Sequence, residues 1–188
     1  MVCALLDANV LYPAPVRDLL LSLAEGQLFK PFWTEKIQLE WSRNLLKNRP
    51  EIDPKRIEKT IFLMNEAFPD ALVWGFEYLI DRLILKDPND RHVLAAAIHA
   101  NVDYLVTANL IDFRDSTQKY PNIKLIHPDR FAMELISLNP NIAYNCFENM
   151  LGRLKNPPIP KKEVLATLSK CGLIFTSRLL ERLGEDKE

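Results

Sequence analysis

The hydrophobic pattern of the chain alternates between short apolar runs and longer stripes at helical spacing. Strands are predicted by the runs "VCALLD" (2–7), "FKPFW" (29–33), "ALVWGF" (71–76), "DYLVTA" (103–108) and "NIKLIHP" (122–128). Continuous apolar runs of this length are typical of parallel strands buried on both faces. Helices are predicted between them, with Thr34 and Asp53 placed to start two of these. Strands that alternate with helices of crossover length predict an α/β fold with a mostly parallel sheet.

The pattern changes after about Leu138, where only amphipathic helical segments follow. Leucines recur at helical spacing in "EVLATLSKCGLIFTSRLLERL" (163–183). We therefore expect two domains, an α/β domain over residues 1–138 and a helical C-terminal extension over residues 139–188. The extension carries no residue pattern from which a chemical role can be inferred.

Composition narrows the class of protein. The 188 residues have a net charge of -1, so a globally basic nucleic-acid footprint is excluded. The three cysteines show neither disulfide nor zinc spacing, which favours a reducing compartment. We find no signal-peptide pattern at the N-terminus and no apolar run near the roughly 20 residues that a membrane helix requires. A cytoplasmic protein without membrane association is expected.

Polar side chains follow the ends of two predicted strands. Asp7 ends the first strand, and Thr107, Asn109 and Asp112 follow the strand in "DYLVTA". In open parallel sheets, ligands bind outside the carboxyl ends of the strands, near a switch in strand order. These side chains are therefore expected at one edge of the sheet.

Two further acids belong to neighbouring helices. Asp90 lies in the first turn of the helix before "DYLVTA", and Glu40 lies on the more polar side of the helix after "FKPFW". Carboxylates gathered at one place repel one another, and such a cluster usually binds a cation. Oxygen donors without cysteine or histidine at metal spacing favour magnesium or manganese. On this basis we interpret His92 as a helix-face residue rather than a ligand.

Each acid also has a purely structural interpretation. Asp87, Pro88 and Asp90 resemble a helix start, with Asp87 as the cap and Asp90 complementing the helix dipole. The Asp7–Asn9 segment could be a turn without a catalytic role, and Glu40 could be a solvated helical residue. The case for a site therefore depends on several acids converging on one sheet edge.

The order of these segments resembles the PIN-domain family. The resemblance rests on "LLDANVLYP", a helical Glu40, "DPNDRHVLAAAI" and "DYLVTANLIDF", and it covers roughly residues 1–138. Within that family the pattern is similar to the VapC-type toxins of type II toxin–antitoxin systems. The resemblance implies a three-layer α/β/α sandwich and a ribonuclease that requires Mg2+ or Mn2+ and hydrolyses RNA phosphodiester bonds.

The resemblance also implies roles for individual residues. The catalytic acids would be Asp7, Glu40, Asp90 and Asp112, and the metal ligands would be Asp7, Asp90 and Asn109. Supporting roles fall to Thr107, Asn9 and Asp87. The family usually has its fourth acid two residues after the hydroxyl residue, where this chain has Asn109. Asn109, Asp112 and Asp87 therefore stay open as the residue that completes the site.

Partners follow from the same resemblance. RNA would be the substrate, with Arg43, Lys47 and Arg49 in the densest basic stretch as candidate contacts to its backbone. The interleaved acids equally favour a solvated charged face. A cognate antitoxin and a homodimer are further expectations. Two alternatives stay open, namely an RNA-processing PIN nuclease without an antitoxin and a non-catalytic PIN module that binds RNA or protein.

Overall fold

The computed structural model describes residues 1–154 and 158–185, apart from the side chain of Ser116. It has four β-strands: β1 (Cys3–Leu6), β2 (Lys30–Phe32), β3 (Tyr104–Val106) and β4 (Lys124–Ile126). The α-helices are α1 (Ala8–Leu11), α2 (Ala14–Glu25), α3 (Glu35–Asn48), α4 (Pro54–Ala67), α5 (Arg91–His99), α6 (Leu110–Thr117), α7 (Pro128–Leu138), α8 (Pro140–Arg153), α9 (Lys161–Lys170) and α10 (Ile174–Glu185). Two 3₁₀-helices span Glu77–Arg82 and Pro88–Asp90.

The contacts between residues divide the chain into two compact units. The sheet unit contains Val2–Tyr12 and Lys30–Ile126. The helical unit contains Met1, Pro13–Phe29 and the described residues from His127 onward. Helix α7 thus belongs to the same unit as the helices that follow it. The predicted division of the chain at residue 138 stays a prediction.

The sheet unit is built on a parallel sheet with the strand order β2-β1-β3-β4. The buried strand residues include Leu5, Leu6, Leu105 and Val106, which have no exposed surface. After β1 the chain forms β2, which pairs with one edge of β1, and later forms β3, which pairs with the other edge of β1. This arrangement places a topological switch point between the carboxyl ends of β1 and β3, where α/β proteins bind ligands. The expected α/β class with a mostly parallel sheet and a C-terminal helical region is confirmed.

Helices α3 and α4 of the sheet unit begin at the capping residues that the sequence predicts, Thr34 and Asp53. The Thr34 hydroxyl accepts a hydrogen bond from the Ile37 amide at the start of α3, at 3.0 Å. Asp53 accepts one from the Lys55 amide at the start of α4. These caps satisfy amide groups that have no partner within the helix.

The predicted strand "ALVWGF" is wrong. Within this segment, Leu72 makes an isolated bridge with Trp33, and the 3₁₀-helix Glu77–Arg82 follows. Gly75 has a φ of 75°, a left-handed conformation that interrupts an extended strand. The apolar residues Val73 and Phe76 are buried as anchors of a loop. Helix α6 was not predicted, because its sequence "LIDFRDST" has no clear apolar stripe.

The helical unit contains α2 and α7–α10. Leu168, Leu173 and Leu180 are fully buried, as the leucine spacing predicts. The buried carboxylate of Asp129 in α7 accepts hydrogen bonds from the amides of Phe175 and Thr176, at 3.0 and 2.8 Å. One side chain therefore caps the first turn of α10 from a different helix. Within the residues that the structure describes, no helix is long and apolar enough to cross a membrane.

Candidate active site

Asp7 and Thr107 lie side by side at the switch point of the sheet. Leu6 pairs with Val106, so the residues that follow them leave the sheet at the same edge. The Asp7 amide donates a hydrogen bond to the Val106 carbonyl at 3.1 Å. Both side chains are buried, with Asp7 6% exposed and Thr107 fully enclosed.

The Asp7 carboxylate accepts three hydrogen bonds. The Ala8 amide donates to Oδ1 at 2.6 Å, while the Asn9 amide group and the Thr107 hydroxyl donate to Oδ2 at 2.6 and 2.7 Å. Asn9 in turn accepts from the Ala108 amide at 2.9 Å, which links the loops after β1 and β3. Burial raises the pKa of Asp7 above its usual range, although the bonds from Thr107 and Ala8 oppose that shift.

Asp87 and Asp90 have different roles at the start of α5. Asp87 accepts a hydrogen bond from the Asn89 amide at 2.9 Å and caps the 3₁₀-helix Pro88–Asp90. Asp90 occupies the N-cap position of α5, but its side chain makes no capping hydrogen bond, so capping through the side chain is shown for Asp87 and not for Asp90. The pKa of Asp90 is raised to about 6 by burial and then by the charges of Asp7, Asp87 and Asp112. Asp90 therefore stands within the field of three other carboxylates.

Glu40 contacts His92, a residue that the sequence interpretation left out of the site. The His92 ring is 1% exposed, and its Nε2 lies 2.9 Å from Oε1 of Glu40. The two groups are within ion-pair distance without the alignment of a hydrogen bond. His92 is thus a buried member of the cluster and not only a helix-face residue. Its position two residues after Asp90, in the first turn of α5, is the signal that could have identified it.

Asn109 and Asp112 interact directly. The Asn109 amide group donates a short hydrogen bond to Oδ2 of Asp112, and the Lys86 ammonium lies 3.5 Å from Oδ1 of Asp112. The backbone amide of Asn109 donates to the Thr107 hydroxyl at 3.0 Å. Asp112 is therefore paired with an exposed lysine and holds the Asn109 side chain in place.

An open cavity of about 370 Å³ gathers most of these groups. Its lining includes five residues predicted for the site, namely Asp7, Asn9, Glu40, Asp90 and Asn109. The lining also includes residues that the sequence did not indicate: Ala8, Tyr12, Trp41, Asn44 and Asn48. The described lining does not include Asp87, Thr107, Asp112, Arg43, Lys47 or Arg49. A larger cavity in the helical unit, of about 970 Å³, is mainly apolar and contains none of the predicted site residues.

The donor set of this cavity fits a hard divalent cation. Its acidic residues Asp7, Glu40 and Asp90 are carboxylates, and oxygen ligands are those that Mg2+ and Mn2+ prefer. Burial and then the charges of neighbouring carboxylates raise the pKa of Asp90, and a cation would relieve the repulsion between these charges. In their present positions, however, no three acid, histidine or cysteine side chains of the described residues are arranged as a ready metal-binding group. The fit therefore rests on donor chemistry and charge.

The basic residues Arg43, Lys47 and Arg49 are exposed beside the cavity rather than in it. Arg43 and Lys47 lie on α3, the helix that carries Glu40. Arg49 ends that helix and forms an ion pair with Glu51. An exposed pair of this kind contributes little to stability.

Comparison with known proteins places the chain in a family. Residues 3–110 match the model of the PIN domain, and residues 128–182 match the model of the VapC50 C-terminal domain. The first match spans β1 to the start of α6 and includes the cavity residues. The chain belongs to the PIN-domain family.

One relative is "Putative ribonuclease VapC50" of Mycobacterium tuberculosis (strain ATCC 25618 / H37Rv). The two sequences are 31% identical over 109 residues, which cover 56% of this chain and 64% of the relative. The chain thus matches less than two thirds of the relative's length. No solved structure matches the chain significantly.

Proposed function

We propose that the protein is a ribonuclease that depends on a divalent metal ion and hydrolyses RNA phosphodiester bonds. The observation that carries the proposal is the convergence of Asp7, Glu40 and Asp90 on one cavity at the switch point of a PIN-domain sheet. Carboxylates that face one another in a partly enclosed site destabilise the protein unless a cation offsets their charge. Mg2+ or Mn2+ would be held by Asp7 and Asp90, with the Asn109 amide as a third donor.

The hydrogen bonds of Asn109 favour Asn109 over Asp112 as the metal ligand in this proposal. Because Asp112 accepts from the Asn109 nitrogen, the amide oxygen is the atom that Asn109 has left for a cation. Asp112 is then a supporting acid, paired with Lys86. Asp87 is left outside the proposed ligand set, because it caps a 3₁₀-helix and is not among the described residues that line the cavity.

When bound, the metal ion would activate water for attack and offset the charge that develops on the phosphate. The protein's own residues orient the groups around it. Thr107 and Asn9 fix both the position and the rotation of the Asp7 carboxylate. Glu40, a half-exposed carboxylate next to His92, would accept a proton from the attacking water.

RNA would approach across the exposed side of α3. Arg43, Lys47 and Arg49 are exposed cations on or beside the helix that carries Glu40. Cations at such positions contact phosphates without reading sequence. Their attraction would oppose the repulsion between an RNA backbone and the carboxylates of the cavity.

We further propose that the protein is the toxin of a toxin–antitoxin pair and acts in the cytoplasm. The match of residues 128–182 to the VapC50 C-terminal domain supports this assignment over a general RNA-processing nuclease. A cognate antitoxin protein is the proposed partner, and a homodimer is a further proposal. The crowded carboxylates favour an enzyme over a non-catalytic binding module, because a binding module gains nothing from that repulsion.

Induced expression in a bacterium tests this function. Wild type should arrest growth and fragment cellular RNA, while Asp90→Asn should allow growth. Asp115→Asn is the matched control, because Asp115 is an exposed acid on α6 that does not line the cavity. Co-expression of the small protein encoded beside the gene should restore growth to wild type. Equal growth of wild type and Asp90→Asn, at equal protein levels, would contradict the toxin assignment.

A further inference from the structure

The cavity has a neutral end that the proposed chemistry does not use. Glu40, Asn44 and Asn48 follow one another at intervals of four residues along α3, and all three line the cavity. Residues at this spacing lie on one face of a helix, about 6 Å apart along its axis. The lining therefore passes from carboxylates to neutral amides within two helical turns.

A hydrogen bond joins this end of the cavity to the loop after α1. The Asn48 side-chain nitrogen donates to the Tyr12 hydroxyl at 3.1 Å. This bond uses neither the Asn48 amide oxygen nor the Tyr12 hydroxyl proton, so both can interact with a ligand. Asn44 and Asn48 are exposed, and Tyr12 is half-buried, so all three are accessible to a ligand. We call Tyr12, Asn44 and Asn48 the amide wall.

The chemistry of the amide wall suits a nucleobase rather than a phosphate. The described residues that line the cavity include no lysine or arginine, so the wall offers no cation to a phosphate. An asparagine side chain presents a donor and an acceptor side by side, which matches the paired groups on a base edge. A tyrosine ring adds a surface for stacking, and unpaired RNA bases are recognised by this combination.

We propose that the amide wall binds an unpaired base next to the scissile phosphate and so determines where single-stranded RNA is cut. This inference rests on the proposed ribonuclease function. The wall begins one helical turn from Glu40, and a base attached to the nucleotide at the carboxylates can reach that distance. A base-paired strand cannot turn its base edge toward the wall, so single-stranded RNA is the substrate class.

The test uses the full chain and two measurements. The first is the sequence profile of products when wild type, Asn44→Ala, Asn48→Ala and Tyr12→Phe cut a randomised pool of single-stranded oligoribonucleotides in Mg2+. The second is the affinity of the same proteins for fluorescent homopolymers of A, C, G and U in EDTA. Asn141→Ala is the control, because Asn141 is an exposed asparagine on α8 outside the cavity. Alanine is a better helix former than asparagine, so these helical variants should fold.

Wild type should favour one base at a position beside the cut. Asn44→Ala or Asn48→Ala should reduce that discrimination at least about fivefold, the lower end of what one amide–base pairing supplies. The homopolymer preference should shrink in parallel, and Asn141→Ala should behave as wild type. If wild type cuts nothing but its homopolymer preference depends on Asn44 or Asn48, the ribonuclease proposal fails and the base site stands. Wild type without base preference in either measurement, or variants that slow all sequences equally, would overturn the inference.

Discussion

Asp7 and Asp90 have the same carboxyl group in two different surroundings. Asp7 is buried and held by three hydrogen bonds, which fix its orientation. Asp90 is half-buried, makes no capping hydrogen bond through its side chain, and has a pKa raised to about 6 by burial and neighbouring carboxylates. Hydrogen bonds therefore fix the orientation of Asp7, whereas the charge of Asp90 costs stability when no cation is bound.

The pH dependence of stability should show this cost. Because the folded protein retains the Asp90 proton to about pH 6, and the unfolded chain releases it near 3.8, the free energy of unfolding should fall as pH rises between these values. Asp90→Asn removes the titrating group, so its free energy of unfolding should fall less over the same interval. Urea denaturation in EDTA at several pH values measures both slopes. Identical slopes would show that burial and the neighbouring carboxylates do not raise the pKa of Asp90.

Magnesium should offset the loss of stability that the Asp90 charge causes. A ligand that binds only the native state raises its stability, so Mg2+ should raise the melting temperature of wild type. It should raise that of Asp90→Asn much less, because a ligand and its charge are lost. Thermal melting of wild type, Asp90→Asn and Asp115→Asn, each with and without Mg2+, makes the comparison. An equal rise in all three proteins would exclude Asp90 as a ligand.

At the scale of elements, the cluster depends on contacts between segments that are distant in sequence. Thr107 after β3 donates to Asp7 after β1, and His92 of α5 contacts Glu40 of α3. In the helical unit, Asp129 of α7 caps α10 in the same way. Each of these side chains fixes the position of an element that does not contain it.

The cap of α10 gives a test at this scale. Asp129→Ala should lower the free energy of unfolding by about 1–3 kcal/mol, because two backbone amides lose their buried acceptor. Asp129→Asn keeps one acceptor oxygen and should cost less than Asp129→Ala. Chemical denaturation of the three proteins gives the order. A neutral Asp129→Ala would show that water replaces the cap without cost.

The sequence was most informative where structure is local. The apolar run of β1 and the caps of α3 and α4 depend on neighbouring residues, and all three were predicted. The segment "ALVWGF" has strand composition, but a strand also needs a partner, and only Leu72 pairs. The partnership of His92 with Glu40 was missed for the same reason. The proximity of Asp7 and Thr107 was predictable because the ends of parallel strands meet at a known edge.

At the scale of the whole molecule, the net charge of -1 gives no general attraction to RNA. Any attraction must come from local cations such as Arg43 and Lys47, which are exposed on the helix that carries Glu40. The charges of Arg43 and Lys47 should therefore control the salt dependence of RNA binding without affecting the carboxylate cluster.

Removal of these charges should change binding by a predictable amount. For single strands, each phosphate contact contributes about 0.7 to the slope of log affinity against log salt. The double variant Arg43→Ala/Lys47→Ala should reduce the magnitude of that slope by about 1.4, with equal effect on all RNA sequences. Fluorescence anisotropy with labelled RNA in EDTA, at several salt concentrations, measures the slope. An unchanged slope would assign both residues to a solvated face.

We propose that the carboxylates of the cavity perform metal-dependent cleavage of RNA. The most direct test is cleavage of a labelled single-stranded RNA by purified wild type, Asp90→Asn and Asp115→Asn, each in Mg2+ and in excess EDTA. Wild type and Asp115→Asn should cleave in Mg2+ and stop in EDTA, while Asp90→Asn should be slower by at least about a hundredfold. Cleavage that persists in EDTA, or an Asp90→Asn variant as active as wild type, would contradict the claim.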